Sequence, residues 1–278
     1  MIYSSFCFTI EVINEINERK FKVTKPCLWI LHNMPRSGGT LVSKCFAAMD
    51  SHVLLSEIHP GAQHVESFNV LSQAQKWHNI LPQLNWRDTA FVEAVTRIEQ
   101  SVREQGKQLI LRDWSHADYL GPPVTNQPNH KPALLNVLSA DFDIKSIQLV
   151  RHPLDTWLSL RKLNLIIKHK IDASQFLAAY RQYLVQTQSM YCLRYEDFLE
   201  APCQQLSAAC DSVGLTFDQG YQDRWFDFEK VTGDTSNNTS LRKSPEISPR
   251  PRRDCGDVDI SWFHDQADYR YIIDSTYS

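Results

Sequence analysis

Twice in this chain a short, largely apolar run ends in a turn bearing an arginine and then opens into helix-like periodicity. Cys27-Leu28-Trp29-Ile30-Leu31 leads into Pro35-Arg36-Ser37-Gly38-Gly39-Thr40-Leu41, and Ile147-Gln148-Leu149-Val150 leads into Arg151-His152-Pro153-Leu154-Asp155-Thr156-Trp157-Leu158-Ser159. A continuous apolar run reads as a strand buried on both faces, the habit of parallel sheets. Each turn puts an Arg and a hydroxyl where an anion could dock at a helix start. Two such places in one domain imply a ligand with two separated anionic groups.

The rest of the pattern agrees with an α/β protein. Residues 52–55, 108–111, 145–150 and 190–193 are further strand segments. Between them lie amphipathic windows: Leu41, Val42, Cys45, Phe46 and Met49; Phe91, Ala94, Val95, Ile98 and Val102; Phe176, Leu177, Tyr180, Tyr183 and Leu184. Another window, 206–213, stops at Gly214, a natural helix terminator. Strands alternating with helices predict a parallel sheet with helices on both faces, and such sheets bind ligands at the carboxyl ends of their strands.

Charge and cysteine usage narrow the classes. The chain has 278 residues and a formal net charge of -3, so no global basic field draws in nucleic acid and any anion site must be local. Seven cysteines, with no CxxC pair and no Cys/His cluster, fit reduced thiols in a cytoplasmic protein. Cys27, Cys45 and Cys192 fall in apolar patterns and are expected to be buried. Residues 1–10 lack a basic start and are soon followed by Glu11, Glu15 and Glu18, a poor secretory signal; no run is long enough to span a bilayer. Asn237-Asn238-Thr239 then marks only a polar loop. Residues 121–132, with Pro122, Pro123, Pro128 and Pro132, read as a surface loop. Residues 233–256 gather Arg242, Lys243, Arg250, Arg252 and Arg253, either a solvated linker or a flap that closes on an anion. His59, Gly61, His64, Trp77, His78 and Trp86 line an acceptor pocket or pack a lid.

At the first turn, Gly38 and Gly39 allow successive N–H groups to face an anion, Arg36 adds a charge, and Ser37 and Thr40 add donors. A Walker A loop needs a Lys before the hydroxyl residue, and none precedes Thr40. A plain strand-to-helix turn is the alternative. At the second turn, Pro153 and Asp155 are ordinary helix-start residues. Arg151 and Ser159, eight positions apart, are harder to explain that way and suit one phosphate.

Together and in this order the two motifs resemble the sulfotransferases that use 3′-phosphoadenosine 5′-phosphosulfate (PAPS). Leu193-Arg194-Tyr195-Glu196-Asp197-Phe198 is similar to a third segment of that family. The Arg36-Ser37-Gly38 start looks like the tyrosylprotein and bacterial branches. Gly39 departs from the family's commoner Thr. The resemblance implies a P-loop-type sheet in a single domain, residues 26–253, with a C-terminal basic loop, a 1–25 extension and a 254–278 tail. It implies that residues 36–41 hold the 5′-phosphosulfate, that Arg151 and Ser159 hold the 3′-phosphate, and that Tyr195 lies near the adenine. Arg252 would come from the closing loop.

The chemistry so implied is in-line transfer of a sulfuryl group to a hydroxyl or amine, releasing adenosine 3′,5′-bisphosphate, with no metal required. Arg36 would stabilise the moving charge. Glu57 is the first choice of general base, by its similarity in placement to the tyrosylprotein branch; His116 is the second, and His59 lies close enough to substitute. The acceptor is a small molecule, sugar or peptide. The rival classes are an ATP- and magnesium-dependent P-loop phosphotransferase and a non-catalytic nucleotide-binding protein.

Overall fold

The computed structural model describes residues 24–233, 246–249 and 251–277, and holds one five-stranded sheet. The strands are β1 (Cys27–Asn33), β2 (His52–Ile58), β3 (Gln108–Asp113), β4 (Asp143–Val150) and β5 (Tyr191–Arg194). Their order is β2-β3-β1-β4-β5, and every pairing is parallel. In chain order the helices are α1 (Gly39–Ala47), α2 (Val70–His78), α3 (Phe91–Glu104), α4 (Ser115–Tyr119), α5 (Ala133–Leu138), α6 (Pro153–Leu160) and α7 (Asn164–His169). They continue with α8 (Ala173–Thr187), α9 (Tyr195–Glu200), α10 (Pro202–Val213), α11 (Tyr221–Arg224), α12 (Ile260–Asp265) and α13 (Ala267–Tyr277).

Alternation along β1 divides the core. Leu28 and Ile30 join a cluster with Val95 and Ile98 of α3, while Trp29 and Leu31 join one with Val42 and Phe46 of α1. β3 repeats the division, with Leu109 and Leu111 on the α3 side and Ile110 on the α1 side. Each such aliphatic side chain contributes roughly 1.5–3 kcal/mol on burial. That double coverage is why these strands show no polar alternation in sequence.

Local chemistry sets the helix ends. Asp172 and Gln175 form a reciprocal capping box at the start of α8. Pro153 occupies the first turn of α6, and α10 ends at Gly214 as its sequence suggests. Residues 121–132 form neither helix nor strand.

The structure departs from expectation in three places. Strands β1, β2 and β3 run two or three residues past their apolar cores, through His32, Glu57 and Asp113, because polar residues there have buried partners. Cys192 is exposed, not buried: it lies on the outer strand β5, facing away from the cluster that takes Leu193. Residues 254–278, read as a tail, carry α12 and α13. Phe263, Tyr269 and Ile272 are buried in a third cluster with Leu154 of α6 and Tyr180 of α8. Asp234, Asn237, Asn238, Thr239, Arg242, Lys243 and Arg250 lie outside the described residues, as does the 1–23 segment. Among the described residues no helix is long and apolar enough to cross a membrane.

Candidate active site

Each of the five strands delivers a residue of interest at its carboxyl end. Glu57 and Arg112 are penultimate in β2 and β3, the 34–38 loop leaves β1, Arg151 follows β4, and Tyr195 follows β5. Parallel strands share one polarity, so these ends make one rim, the usual binding edge of an open α/β sheet.

The loop after β1 is pinned by Ser37, whose N–H and hydroxyl both donate to the Met34 carbonyl, at 3.2 and 2.7 Å. The Ser37 hydroxyl proton is therefore committed inside the loop. Gly38 caps α1 at φ 98°, and the first helical bond runs from Val42 N–H to the Gly38 carbonyl. The amides of Gly39, Thr40 and Leu41 thus have no acceptor within the helix, and the helix dipole makes them an anion cradle. A Cβ built on Gly38 would stand 2.2 Å from the Tyr195 ring, so the ring lies directly against the loop. The Arg151 guanidinium sits 5.1 Å from the centre of the same ring.

The two Arg motifs form one cluster. Arg36 Nε donates to Ser159 Oγ at 3.0 Å, and Arg151 Nη1 donates to the Arg36 carbonyl at 3.0 Å. The buried Tyr180 hydroxyl fixes the Arg151 backbone, donating to its carbonyl at 2.6 Å and accepting its N–H at 2.9 Å. Arg252 reaches the start of α6, pairing through Nε and Nη2 with both Asp155 oxygens at 2.9 and 3.1 Å. Burial and the Arg252 charge pull the His152 imidazole between them down to about 4, so it is neutral near pH 7.

On the β2 side, Glu57 is left-handed at φ 55°, beside an irregularity in β2–β3 pairing, and Arg36 is left-handed at φ 67°. Non-glycine residues hold that conformation only where their surroundings enforce it. Glu57 Oε1 lies 3.1 Å from Nη2 of Arg112, a side chain 2 % exposed. Arg112 also donates to Thr40 Oγ1 at 3.4 Å and to the Thr232 carbonyl at 3.2 Å. Burial lowers its pKa, while Glu57 and Asp113 resist the shift. Arg112 belongs to no motif; its signal in the sequence is a cation ending an apolar strand. Beneath it, buried His32 bonds the Asp113 carboxylate, which also accepts the Ser115 N–H at 3.2 Å, tying β1 to β3.

The other two base candidates are engaged elsewhere. His116 is 3 % exposed, its Nε2 is held by the Pro122 carbonyl, and burial pulls it down to about 4. His59 Nδ1 accepts the Gly61 N–H at 3.0 Å, so Nε2 carries the proton and donates to Asp118 at 3.2 Å. Of the three, Glu57 is the one joined through Arg112 to Thr40 of the anion loop. Trp77 and Trp86 pack against the α3-side core.

Comparison with solved structures gives the architecture a precedent. The sulfotransferase domain of the olefin synthase from Synechococcus PCC 7002 has a TM-score of 0.59 at 19% identity, covering 82% of this chain and 88% of that one. The sulfotransferase domain from the curacin biosynthetic pathway gives 0.57 at 16% identity, covering 90% and 97%. The chain has the sulfotransferase fold. No protein-family model matches it, and no curated protein matches it by sequence. Within the sulfotransferase fold of this chain, the rim from Glu57 to Tyr195 is the place where strand polarity, free helix amides and arginines coincide.

Proposed function

We propose that the protein is a sulfotransferase that takes PAPS as donor and transfers its sulfuryl group to a hydroxyl or amine, leaving adenosine 3′,5′-bisphosphate. The observation that carries this reading is the meeting of the two anion motifs: Arg36 on Ser159, and Arg151 on the Arg36 carbonyl. A donor with phosphate groups on both the 3′ and the 5′ oxygen of one ribose needs two adjoining cationic sites. The residues present fit it, because Gly38 leaves the loop bare of side chain and the α1 amides are free of helical acceptors. Gly39, Thr40 and Leu41 would hold the 5′ end with Arg36, and Arg151 and Ser159 the 3′-phosphate, with Arg252 alongside. Tyr195 would flank the adenosine.

The donor, when bound, supplies an activated sulfuryl group. The protein's own part is positioning and charge. Arg36 offsets negative charge near the loop. Glu57 Oε takes the proton of the acceptor, and Arg112 fixes the direction of that carboxylate. The acceptor is a small molecule, a sugar or a peptide, and a cytoplasmic setting with reduced cysteines goes with the same reading.

Calorimetry with adenosine 3′,5′-bisphosphate tests the donor site: wild type binds, and Arg151→Ala weakens binding by about 100-fold. Unchanged affinity in that variant would remove the reading. Radiolabelled PAPS with phenols, alcohols, sugars, amines and peptides, each with and without EDTA, then finds the acceptor class. Transfer that persists in EDTA separates this chemistry from magnesium-dependent phosphotransfer.

A further inference from the structure

The Glu196 carboxylate joins two parts of the molecule that lie far apart in sequence. One oxygen accepts the His152 backbone N–H at 2.9 Å; the other accepts the Tyr277 hydroxyl at 2.9 Å. His152 stands between Arg151 and the first residue of α6, and Tyr277 is the last residue of α13. Glu196 itself follows Tyr195, whose ring lies against Gly38.

We infer that Glu196 and Tyr277 are positioning residues for the 3′-phosphate end of the donor site, so that the C-terminal helix aims Arg151 through one shared carboxylate. This rests on the donor reading above. The Arg151–His152 main chain is gripped from two sides, by Tyr180 on the Arg151 peptide groups and by Glu196 on the His152 amide. Were the His152 amide released, the turn carrying Arg151 could rotate about the Tyr180 contact, and a guanidinium misplaced by 1 Å loses most of its advantage.

The far end of this strut is firmly seated. Tyr269 and Ile272 of α13 are buried, Arg181 pairs with Asp268 at 2.8 Å, and Arg194 Nη1 donates to the Thr276 carbonyl at 3.4 Å. The Arg194 guanidinium also lies 5.9 Å from the centre of the Tyr277 ring, and the His152 ring lies 5.7 Å from it. Burial and the neighbouring Glu196 raise the Tyr277 pKa, so its hydroxyl stays protonated and donates. Tyr277, a residue beyond the three motifs, thereby becomes part of the support of the donor site.

Tyr277→Phe tests this, because it keeps the ring in place and removes only the hydroxyl. Binding is measured for adenosine 3′,5′-bisphosphate and for adenosine 5′-phosphosulfate, which lacks the 3′-phosphate. The expected result is a loss of about tenfold for the bisphosphate with the phosphosulfate unchanged, and a raised KM for PAPS at near-constant kcat. Glu196→Gln shifts the same ligand in the same direction, and the double variant is less than additive. Wild-type affinity for both ligands in both variants overturns the inference, as does an equal loss of both ligands, which marks a merely structural role. A wild-type protein that ignores the bisphosphate instead brings down the donor reading, and this inference with it, before any variant is compared.

Discussion

Arg36 and Ser159, 123 positions apart in the chain, meet at 3.0 Å between Nε and Oγ. The contact ties the loop of the central strand to the helix that follows its neighbour, so a change at either residue disturbs both ends of the donor site. Arg36→Lys keeps the charge but loses the planar fork, and kcat/KM should fall about 100-fold. Ser159→Ala removes one neutral hydroxyl and should cost about tenfold, mainly through the KM for PAPS. Initial rates over a range of donor concentrations check both. An Arg36→Lys enzyme with wild-type kcat/KM contradicts the assignment.

Stability and activity should separate at Glu57. In Glu57→Ala the buried Arg112 loses its carboxylate partner, which costs about 3 kcal/mol. Glu57→Gln still offers a carbonyl oxygen and should cost about 1 kcal/mol, yet as a lost general base it lowers turnover by roughly 100- to 10,000-fold. Urea denaturation and single-turnover rates measure the two effects. Comparable turnover in Glu57→Gln and wild type excludes the base role.

His116 makes the fold acid-sensitive in a defined window. Its pKa falls from 6.5 to about 4 on burial, so the unfolded chain binds the extra proton first as pH drops. Stability is complete above about pH 6.5, declines as pH falls toward 4, and loses nothing further from this group below that. The full shift corresponds to at most roughly 3 kcal/mol. Denaturation midpoints at pH 7 and pH 5 should differ less in His116→Gln than in wild type. An identical difference shows that other groups set the acid limb.

Gly38 and Tyr195 should be energetically coupled. Gly38→Ala places a Cβ 2.2 Å from the Tyr195 ring and should cost about 1–3 kcal/mol together with donor affinity. In a Tyr195→Ala background the same substitution should cost less, because only the backbone strain at φ 98° remains. A thermal-denaturation cycle with no coupling between the two positions contradicts the close approach.

Much of the sheet was legible because parallel strands with both faces covered leave uninterrupted apolar runs, and residues 27–31 and 108–111 advertise themselves. The strand ends were not, since hydropathy stops at the first polar residue. Arg112 and Asp113 extend β3 only because Glu57 and His32 receive them across the sheet. Arg36, Arg151 and Ser159 could be named from spacing, whereas the Arg36–Ser159 contact depends on β1 and β4 being neighbours, a property of topology. The last helix has a weak sequence signal because its fully buried stripe is only Tyr269 and Ile272, and the apolar Tyr271 and Ile273 beside them blur the helical period.

Asn33 lies beneath the start of α1, its amide nitrogen bonded to the Met34 carbonyl at 3.0 Å. A Cβ on Gly39 would fall 2.5 to 2.7 Å from atoms of that amide, so the Asn side chain fills the space a Thr at position 39 would claim. Positions 33 and 39 are accordingly interchangeable only as a pair. A library that randomises residue 39 alone should return glycine, while one that opens both sites has a second solution, a bulkier residue at 39 over a smaller one at 33.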